Sequence, residues 1–255
     1  TGEVIIPDGI TTIGDETFKR KSNLTKVVIP GSVVNLGQKV FSYCTSLKDI
    51  VFEDGNIESL GSQWCIGSSS SNDTYTDVTL KFTDVKPLTN TMGWNSNVRN
   101  YFVPDNLVDS YKSATNWSSM SSKIKPFSYL VSETSVLYGL GASMSATISA
   151  VAKVGESVLT SVTCDSSYVT VDEVLGDSFK ITASTCSQHD ANFSISYTVD
   201  GVEHTQTLTV SIAVFATGED ALSTLGAVLV ATDETMYLDY TKLLADGKTL
   251  QGLLV

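Results

Sequence analysis

Two histidines, four cysteines and three of the pairs of adjacent acids are the side chains of this 255-residue sequence whose types and spacing could carry chemistry. His189 follows Cys186 by three residues, and His204 could meet Cys164 across strands. A thiol beside an imidazole is the arrangement of an activated cysteine nucleophile. The plainer reading is exposed polar residues at strand ends, with His189 in a turn and His204 on a hairpin arm beside Glu203. Asp172-Glu173, Glu219-Asp220 and Asp233-Glu234 have the composition for calcium binding or glycoside hydrolysis. Each falls where a turn is expected, so each reads as solvated. The cysteines stand 21 (Cys44, Cys65) and 22 (Cys164, Cys186) residues apart with no Cys-x-x-Cys, which fits no zinc motif. There is no Gly-x-Ser-x-Gly elbow and no phosphate-cradling glycine loop. No catalytic residue, metal ligand or cofactor is therefore assigned. Asn23, Asn72, Asn116 and Asn192 each begin an Asn-x-Ser/Thr triplet, a pattern that arises by chance in a chain rich in these residues.

What remains is binding. Side chains alternate across a strand, so if Val27 and Ile29 point inward, Lys26 and Val28 point outward. The same offset gives an outward column of Ile5, Val28 and Val51, flanked by Glu3, Lys26 and Asp49. Such a β-branched column on a sheet face can take a partner protein or a glycan, or it can merely favour strand geometry. Tyr75 and Trp94, on irregular stretches, are further candidates.

The element that must position this column is a repeat. Offset by 23 residues, Val4, Val27 and Ile50 align, as do Ile6, Ile29 and Phe52. Pro7 lies over Pro30, Gly14 over Gly37, Phe18 over Phe41 and Leu24 over Leu47. A period in the twenties predicts stacked units, none able to bury its apolar side alone. Within a unit, Val27 and Ile29 have the period of a short strand, Pro30 and Gly31 end it, and Leu36, Phe41 and Leu47 face inward on the return. The run Leu24-Thr-Lys-Val-Val-Ile-Pro-Gly-Ser-Val33, then Leu36-Gly-Gln-Lys-Val-Phe-Ser-Tyr-Cys-Thr-Ser-Leu47, resembles the leucine-rich repeats of the BspA type. The first copy departs by Lys21 in place of Cys44. The third departs further, with Leu60-Gly61 one residue late and Trp64 in place of Phe41. That resemblance implies a solenoid on a bacterial surface protein and attachment to host proteins, other bacteria or glycans. It also implies a small buried residue at Cys44, read here as a free thiol. A Cys164–Cys186 disulfide is left open.

Repeats run to about Gly67, followed by an exposed polar loop at Ser68–Asp73. Val78, Leu80 and Phe82 resume a strand face, and Val98–Val103, closed by Pro104, reads as the last solenoid strand. Asn106 is placed to cap a helix whose face is Leu107, Tyr111, Ala114 and Trp117. The stretch from Val103 through Trp117 to Pro126 resembles the terminal unit of BspA-type domains, with that helix capping the apolar end. After Pro126, Phe179/Ile181/Ala183, Phe193/Ile195/Tyr197/Val199 and Leu208/Val210/Ile212/Val214 alternate with polar residues, and Asp200-Gly201 signals a hairpin. These short strands predict a β-sandwich that resembles a bacterial Ig-like module. The expected fold is thus mostly β: a leucine-rich-repeat solenoid with a C-terminal capping helix (1–127), an Ig-like β-sandwich (128–214) and a short β-rich C-terminal segment (215–255). That last segment, with strands at 226–230 and 236–240, reads as an interface for a homo-oligomer or the start of a truncated domain.

Only 17% of residues are charged and the net charge is −12, a balance that disfavours nucleic-acid partners. No apolar run approaches the ~20 residues of a membrane span. Both ends read as processed or truncated. The function these features favour is non-catalytic recognition of a protein or glycan, outside the cell or on a bacterial surface. A phage virion fibre or capsid decoration, and accessory domains of a larger secreted enzyme, are the alternatives.

Overall fold

The computed structural model describes residues 2–60, 75–88, 98–216, 228–232 and 235–239. The chain is mostly β and divides into two compact units, Thr1–Phe127 and Ser128–Val255.

In the first unit the 23-residue period becomes a ladder of parallel strands. β1 (Glu3–Ile5) is followed by the short β2 (Thr12–Ile13), then β3 (Lys26–Ile29), the short β4 (Asn35–Leu36) and β5 (Asp49–Phe52). β6 (Thr76–Leu80), β7 (Val98–Val103) and β8 (Ile124–Pro126) complete a six-stranded sheet ordered β1-β3-β5-β6-β7-β8. β2 and β4 form a second parallel pair. Successive coils sit in register, with Val4 beside Val27 and Val27 beside Ile50. Their inward side chains are shut away from water: Val27, Ile50, Phe52 and Val78 are 0% exposed.

The return limbs stack by the same rule. Glu16, Phe18 and Arg20 donate their N–H groups to the carbonyls of Gln38, Val40 and Ser42. Phe18 and Phe41 lie parallel with centroids 5.6 Å apart. Two positions in each limb take positive φ, Glu16 and Lys39 (57° and 55°) and Arg20 and Tyr43 (both 61°), so even the turn conformation recurs every 23 residues. Gly31 has a different reason from the turn geometry expected of it. A Cβ there would lie 2.1 Å from the Asp54 carbonyl oxygen, so glycine is required for close approach of neighbouring coils.

Two expectations need correction. The last strand of the sheet is β8, not Val98–Val103. Asn106 does not cap a helix: a 3₁₀ turn over Asp105–Leu107 follows Pro104, and α1 (Val108–Ser113) begins after Leu107 without a side-chain cap. The proline fixes the turn first, and the helix starts from it. Tyr111 and Trp117 are fully buried, and both rings meet edge to face, with Trp117 doing the same to Tyr101. The Trp117 indole N–H donates to the Lys86 carbonyl at 2.9 Å.

In the second unit, β9 (Leu130–Val131), β10 (Val136–Leu140), β11 (Ser143–Ser149) and β12 (Val151–Ala152) precede β13 (Ser157–Cys164) and β14 (Val169–Val174). β15 (Ser178–Ser184), β16 (Cys186–Val199) and β17 (Val202–Phe215) follow. One sheet is ordered β10-β17-β16-β13, the other β11-β15-β14. β10 runs parallel to β17, while the other pairings within these sheets are antiparallel. The two sheets share one core, in which Phe179 and Ile181 from one and Phe193, Ile195, Val210 and Ile212 from the other are 0% exposed. Asp200 and Gly201 both take positive φ (48° and 81°), the geometry of a tight hairpin turn between β16 and β17. Within the C-terminal segment, β18 (Val228–Thr232) and β19 (Thr235–Asp239) form an antiparallel pair, and the remainder beyond residue 216 lies outside the described residues.

Candidate functional site

The outward face of the repeat sheet is built by register. Ile5 pairs with Val28 and Val28 with Val51, while Glu3 pairs with Lys26 and Lys26 with Asp49. Ile5 is 68% exposed, and Val28, Val51, Lys26 and Asp49 are half-buried. In register the column continues through the polar Thr79 and then Phe102, but these are 3% and 0% exposed. Its accessible part therefore spans the first three strands of the sheet.

Charged side chains flank the column, a row on one side and a single pair at the far end of the other. On one side the Lys26 ammonium meets the Glu3 carboxylate at 3.0 Å and has Asp49 beside it in register. On the other, Lys81 meets Glu53 at 3.0 Å. At such exposure each pair contributes about 0–1 kcal/mol to stability, so their larger effect is to set the polarity of the rim. Further along, Asp77 is buried and accepts from the Arg99 guanidinium through both carboxylate oxygens and from the Asn100 amide at 3.1 Å. This clasp escaped the sequence reading, because Asp77 follows Asp49 by 28 residues and the period of 23 no longer locates it.

The residues considered for chemistry lie elsewhere. Cys164 and Cys186 are free thiols, not a disulfide. His189 is in strand β16, not in a turn; an irregularity between Cys186 and His189 shifts the register there. Its Nδ1 lies 3.0 Å from the Ser187 carbonyl and its Nε2 2.8 Å from the Ser166 hydroxyl. A carbonyl only accepts, so Nδ1 carries a proton and, in the neutral ring, Nε2 accepts from Ser166. The same hydroxyl accepts from the Tyr168 N–H at 3.3 Å, and the Val169 N–H reaches the Ser166 carbonyl, so the imidazole clasps a turn. His204 is half-buried and stacks on Tyr197, 5.5 Å between centroids. Asp172 and Glu173 sit at the bulge of β14 rather than in a turn, where Asp172 accepts from Thr182 and Glu173 pairs with Lys180. The amides of Asn116 and Asn192 are engaged by the Leu88 carbonyl and the Asp165 carboxylate. Asn192 holds the Asp165 carboxyl below its ordinary range, through its side-chain amide first and its backbone N–H second. Tyr75 is 54% exposed. Cys65, Trp64, Asn72, Trp94, the 68–73 loop, Glu219-Asp220 and Asp233-Glu234 lie outside the described residues.

Comparison with known proteins fits the register. Residues 1–82 match the family model described as the BspA type leucine rich repeat region, in 6 copies. These 82 residues are BspA-type leucine-rich repeats. No curated protein sequence matches the chain. Among solved structures, domains 4 and 5 of the S-layer protein SbsC align at 12% identity and a TM-score of 0.25. That alignment covers 36% of this chain and 56% of the other. An endo-fucoidan hydrolase of glycoside hydrolase family 107 aligns at 14% identity and a TM-score of 0.24, covering 36% of this chain and 16% of the other. This chain therefore spans about half of the first and a sixth of the second, and both scores are too low for either likeness to carry an argument.

Proposed function

We propose that the chain is a non-catalytic surface recognition protein, held outside the cell or on a bacterial surface, whose BspA-type repeats bind a partner protein through the column Ile5, Val28 and Val51. The observation that carries this reading is a β-branched apolar strip, exposed at Ile5 and half-buried at Val28 and Val51, with the row Glu3, Lys26 and Asp49 along one side and the Glu53–Lys81 pair at the far end of the other. An apolar centre with a polar rim is the pattern of a protein interface, whereas a carbohydrate site leans on aromatic faces and hydrogen-bonding planes. Lys26 and Asp49 supply orientation rather than affinity, because rim charges act mainly on encounter and register. In this reading α1 with Trp117 closes the apolar end of the repeat stack. The second unit is an Ig-like spacer, a role supported by its seven principal strands in sheets of four and three with β10 parallel to β17.

The test is replacement of Val28 and Val51 together by Lys. Both side chains are half-buried on the outer face, so the melting temperature should hold while capture of purified extracellular-matrix and bacterial surface proteins is lost. A glycan array run in parallel distinguishes the carbohydrate alternative. Undiminished protein capture by the double variant would remove this face from consideration.

A further inference from the structure

Among the described residues each sheet of the second unit has two edge strands, β10 and β13 in one and β11 and β14 in the other, and they are treated differently. β14 carries a bulge between Val171 and Glu173 and presents Asp172 and Glu173. β13 carries a bulge between Leu159 and Ser161. Bulges and charges are the usual devices that stop an edge from recruiting another strand. β11 has neither. Its seven residues, Ser143-Met-Ser-Ala-Thr-Ile-Ser149, contain no charge, no proline and no glycine, and its pairing with β15 is regular from end to end. The chain's own β9 runs beside this same strand only past its end, pairing Leu130 and Val131 with Ala152 and Val151. β9 is then followed by β10, which belongs to the other sheet.

The sequence of this edge is nearly symmetric about Ala146. Read backwards it is Ser-Ile-Thr-Ala-Ser-Met-Ser, which keeps every hydroxyl and every apolar residue in place. The burial pattern has the same symmetry: Met144 and Ala146 are half-buried and Ile148 is buried on the inner face, while Ser143, Ser145, Thr147 and Ser149 are exposed on the outer. Beside the strand is an open groove of about 400 Å³, lined among others by Leu137, Tyr138, Met144, Ala146 and Thr147. Met144 reaches across to β10, where a Cβ on Gly139 would lie 2.6 Å from the Met144 Cβ.

We propose that β11 is a self-pairing edge, and that a second copy of this chain docks on it as an antiparallel strand about a two-fold axis at Ala146. That register sets Ser143 opposite Ser149, Met144 opposite Ile148 and Ser145 opposite Thr147. The inner face then meets only apolar side chains, the outer face only hydroxyls, and cross-strand pairs of these kinds are favourable. The contact is isologous and closes on itself, so it yields a dimer and not a filament. The free length also fits. Ser149 is succeeded by the stretch β9 covers, and Ser143 is preceded by the turn at Gly141, whose φ is 111°. Seven residues facing seven residues therefore fill the open edge without meeting either obstacle. This interface is separate from the repeat face and stands whether or not that face binds a partner.

Charge exchange at the facing pair tests it, because Ser145 of one copy lies opposite Thr147 of the other. The full 255-residue chain should be a concentration-dependent dimer by sedimentation equilibrium. Ser145→Lys with Thr147→Lys should weaken dimerisation at least tenfold, as should Ser145→Glu with Thr147→Glu. An equimolar mixture of those two variants should recover it. Ser145→Lys with Thr147→Glu in one chain should dimerise as well as the parent, since each lysine then faces a glutamate. These positions are exposed, so unchanged far-ultraviolet circular dichroism is expected throughout. A monomer at millimolar concentration would overturn the proposal. So would a dimer indifferent to all these changes, which would place the contact elsewhere, such as residues 215–255.

Discussion

Gly14 and Gly37 occupy the same position of the repeat, yet the structure predicts opposite consequences for replacing them by alanine. A Cβ on Gly37 would lie 2.5 Å from the Asp15 nitrogen and 2.6 Å from both the Gly14 carbonyl carbon and the Asp15 Oδ1. Two of those atoms are backbone of the adjacent coil. They are fixed by the Gly37 N–H on the Ile13 carbonyl at 2.8 Å and the Gln38 N–H on the Asp15 carboxylate at 2.8 Å. Relief requires the two return limbs to separate, and overpacking of this kind costs about 1–3 kcal/mol. A Cβ on Gly14 would meet only the Thr17 hydroxyl at 3.7 Å, an ordinary contact, and Gly14 does not take a positive φ. Alanine there removes backbone freedom from the unfolded chain and should be neutral or stabilising by up to roughly 0.4–1 kcal/mol. For a unit of this size, Gly37→Ala should lower the melting temperature by about 3–10 °C, and Gly14→Ala should leave it unchanged or slightly raised. Differential scanning calorimetry of the two variants decides. If both lose stability equally, the motif glycine serves a conformation within its own turn, and the stacking argument fails.

Two further outcomes follow from buried groups. Burial, opposed by the Lys86 N–H, holds the Tyr111 phenol up at about 12 against an ordinary value near 10. A raised acid pKa gives stability that is complete below pH 10 and lost as pH climbs from 10 to 12, because the unfolded chain ionises first. Two pH units correspond to about 2–3 kcal/mol, so the urea-midpoint gap between the parent and Tyr111→Phe should shrink across that window, and a pH-independent gap would refute it. Burial also raises the Cys44 thiol, which donates to the Phe18 carbonyl at 2.9 Å. Its alkylation by iodoacetamide at pH 8, followed by peptide mass spectrometry, should therefore proceed no faster than unfolding; labelling at the rate of an exposed thiol would contradict the packing.

What could be read from the sequence was whatever repeats or alternates. The 23-residue offset placed Val27 beside Ile50 and Ile5 beside Val28, because stacked coils must keep their apolar columns aligned to stay dry. Alternation placed Phe193, Ile195 and Tyr197 on the buried face of β16 for the same reason. Illegible were features set by a neighbour distant in sequence. Gly31 resembled a turn glycine and proved to be a contact glycine, which only the position of Asp54 reveals. Asn106 had the chemistry of a cap, but Pro104 had already fixed the chain direction. His189 had the surroundings of a turn in sequence, and the long pairing of β16 with β17 carried it into a strand. The burial of Thr79 and Phe102 at the far end of the outward column had no local signal, since nothing in their own strands distinguishes them from Val28 and Val51.

That last difference bears directly on how the repeat face can work. A column exposed along the whole sheet would offer six strands to a partner, and its binding energy would scale with every strand covered. Here exposure falls from 68% at Ile5 to 0% at Phe102, so the accessible strip is confined to β1, β3 and β5. At about 25 cal/mol per Å² of apolar area, covering three aliphatic side chains that are already part-buried contributes only a few kcal/mol. Most of that is consumed by the cost of association. If the repeat face binds as proposed, a single face of this kind would give weak, rapidly exchanging contact, and firm attachment would require several such faces to act together. Two faces on a dimer joined through β11 would supply this: the second contact becomes intramolecular, and avidity rises without a new residue at the face. Weakening the dimer by the paired lysines at 145 and 147 should then reduce capture on a densely coated surface while leaving single-site affinity in solution unchanged. Equal loss in both formats would show that the two interfaces are not linked in this way.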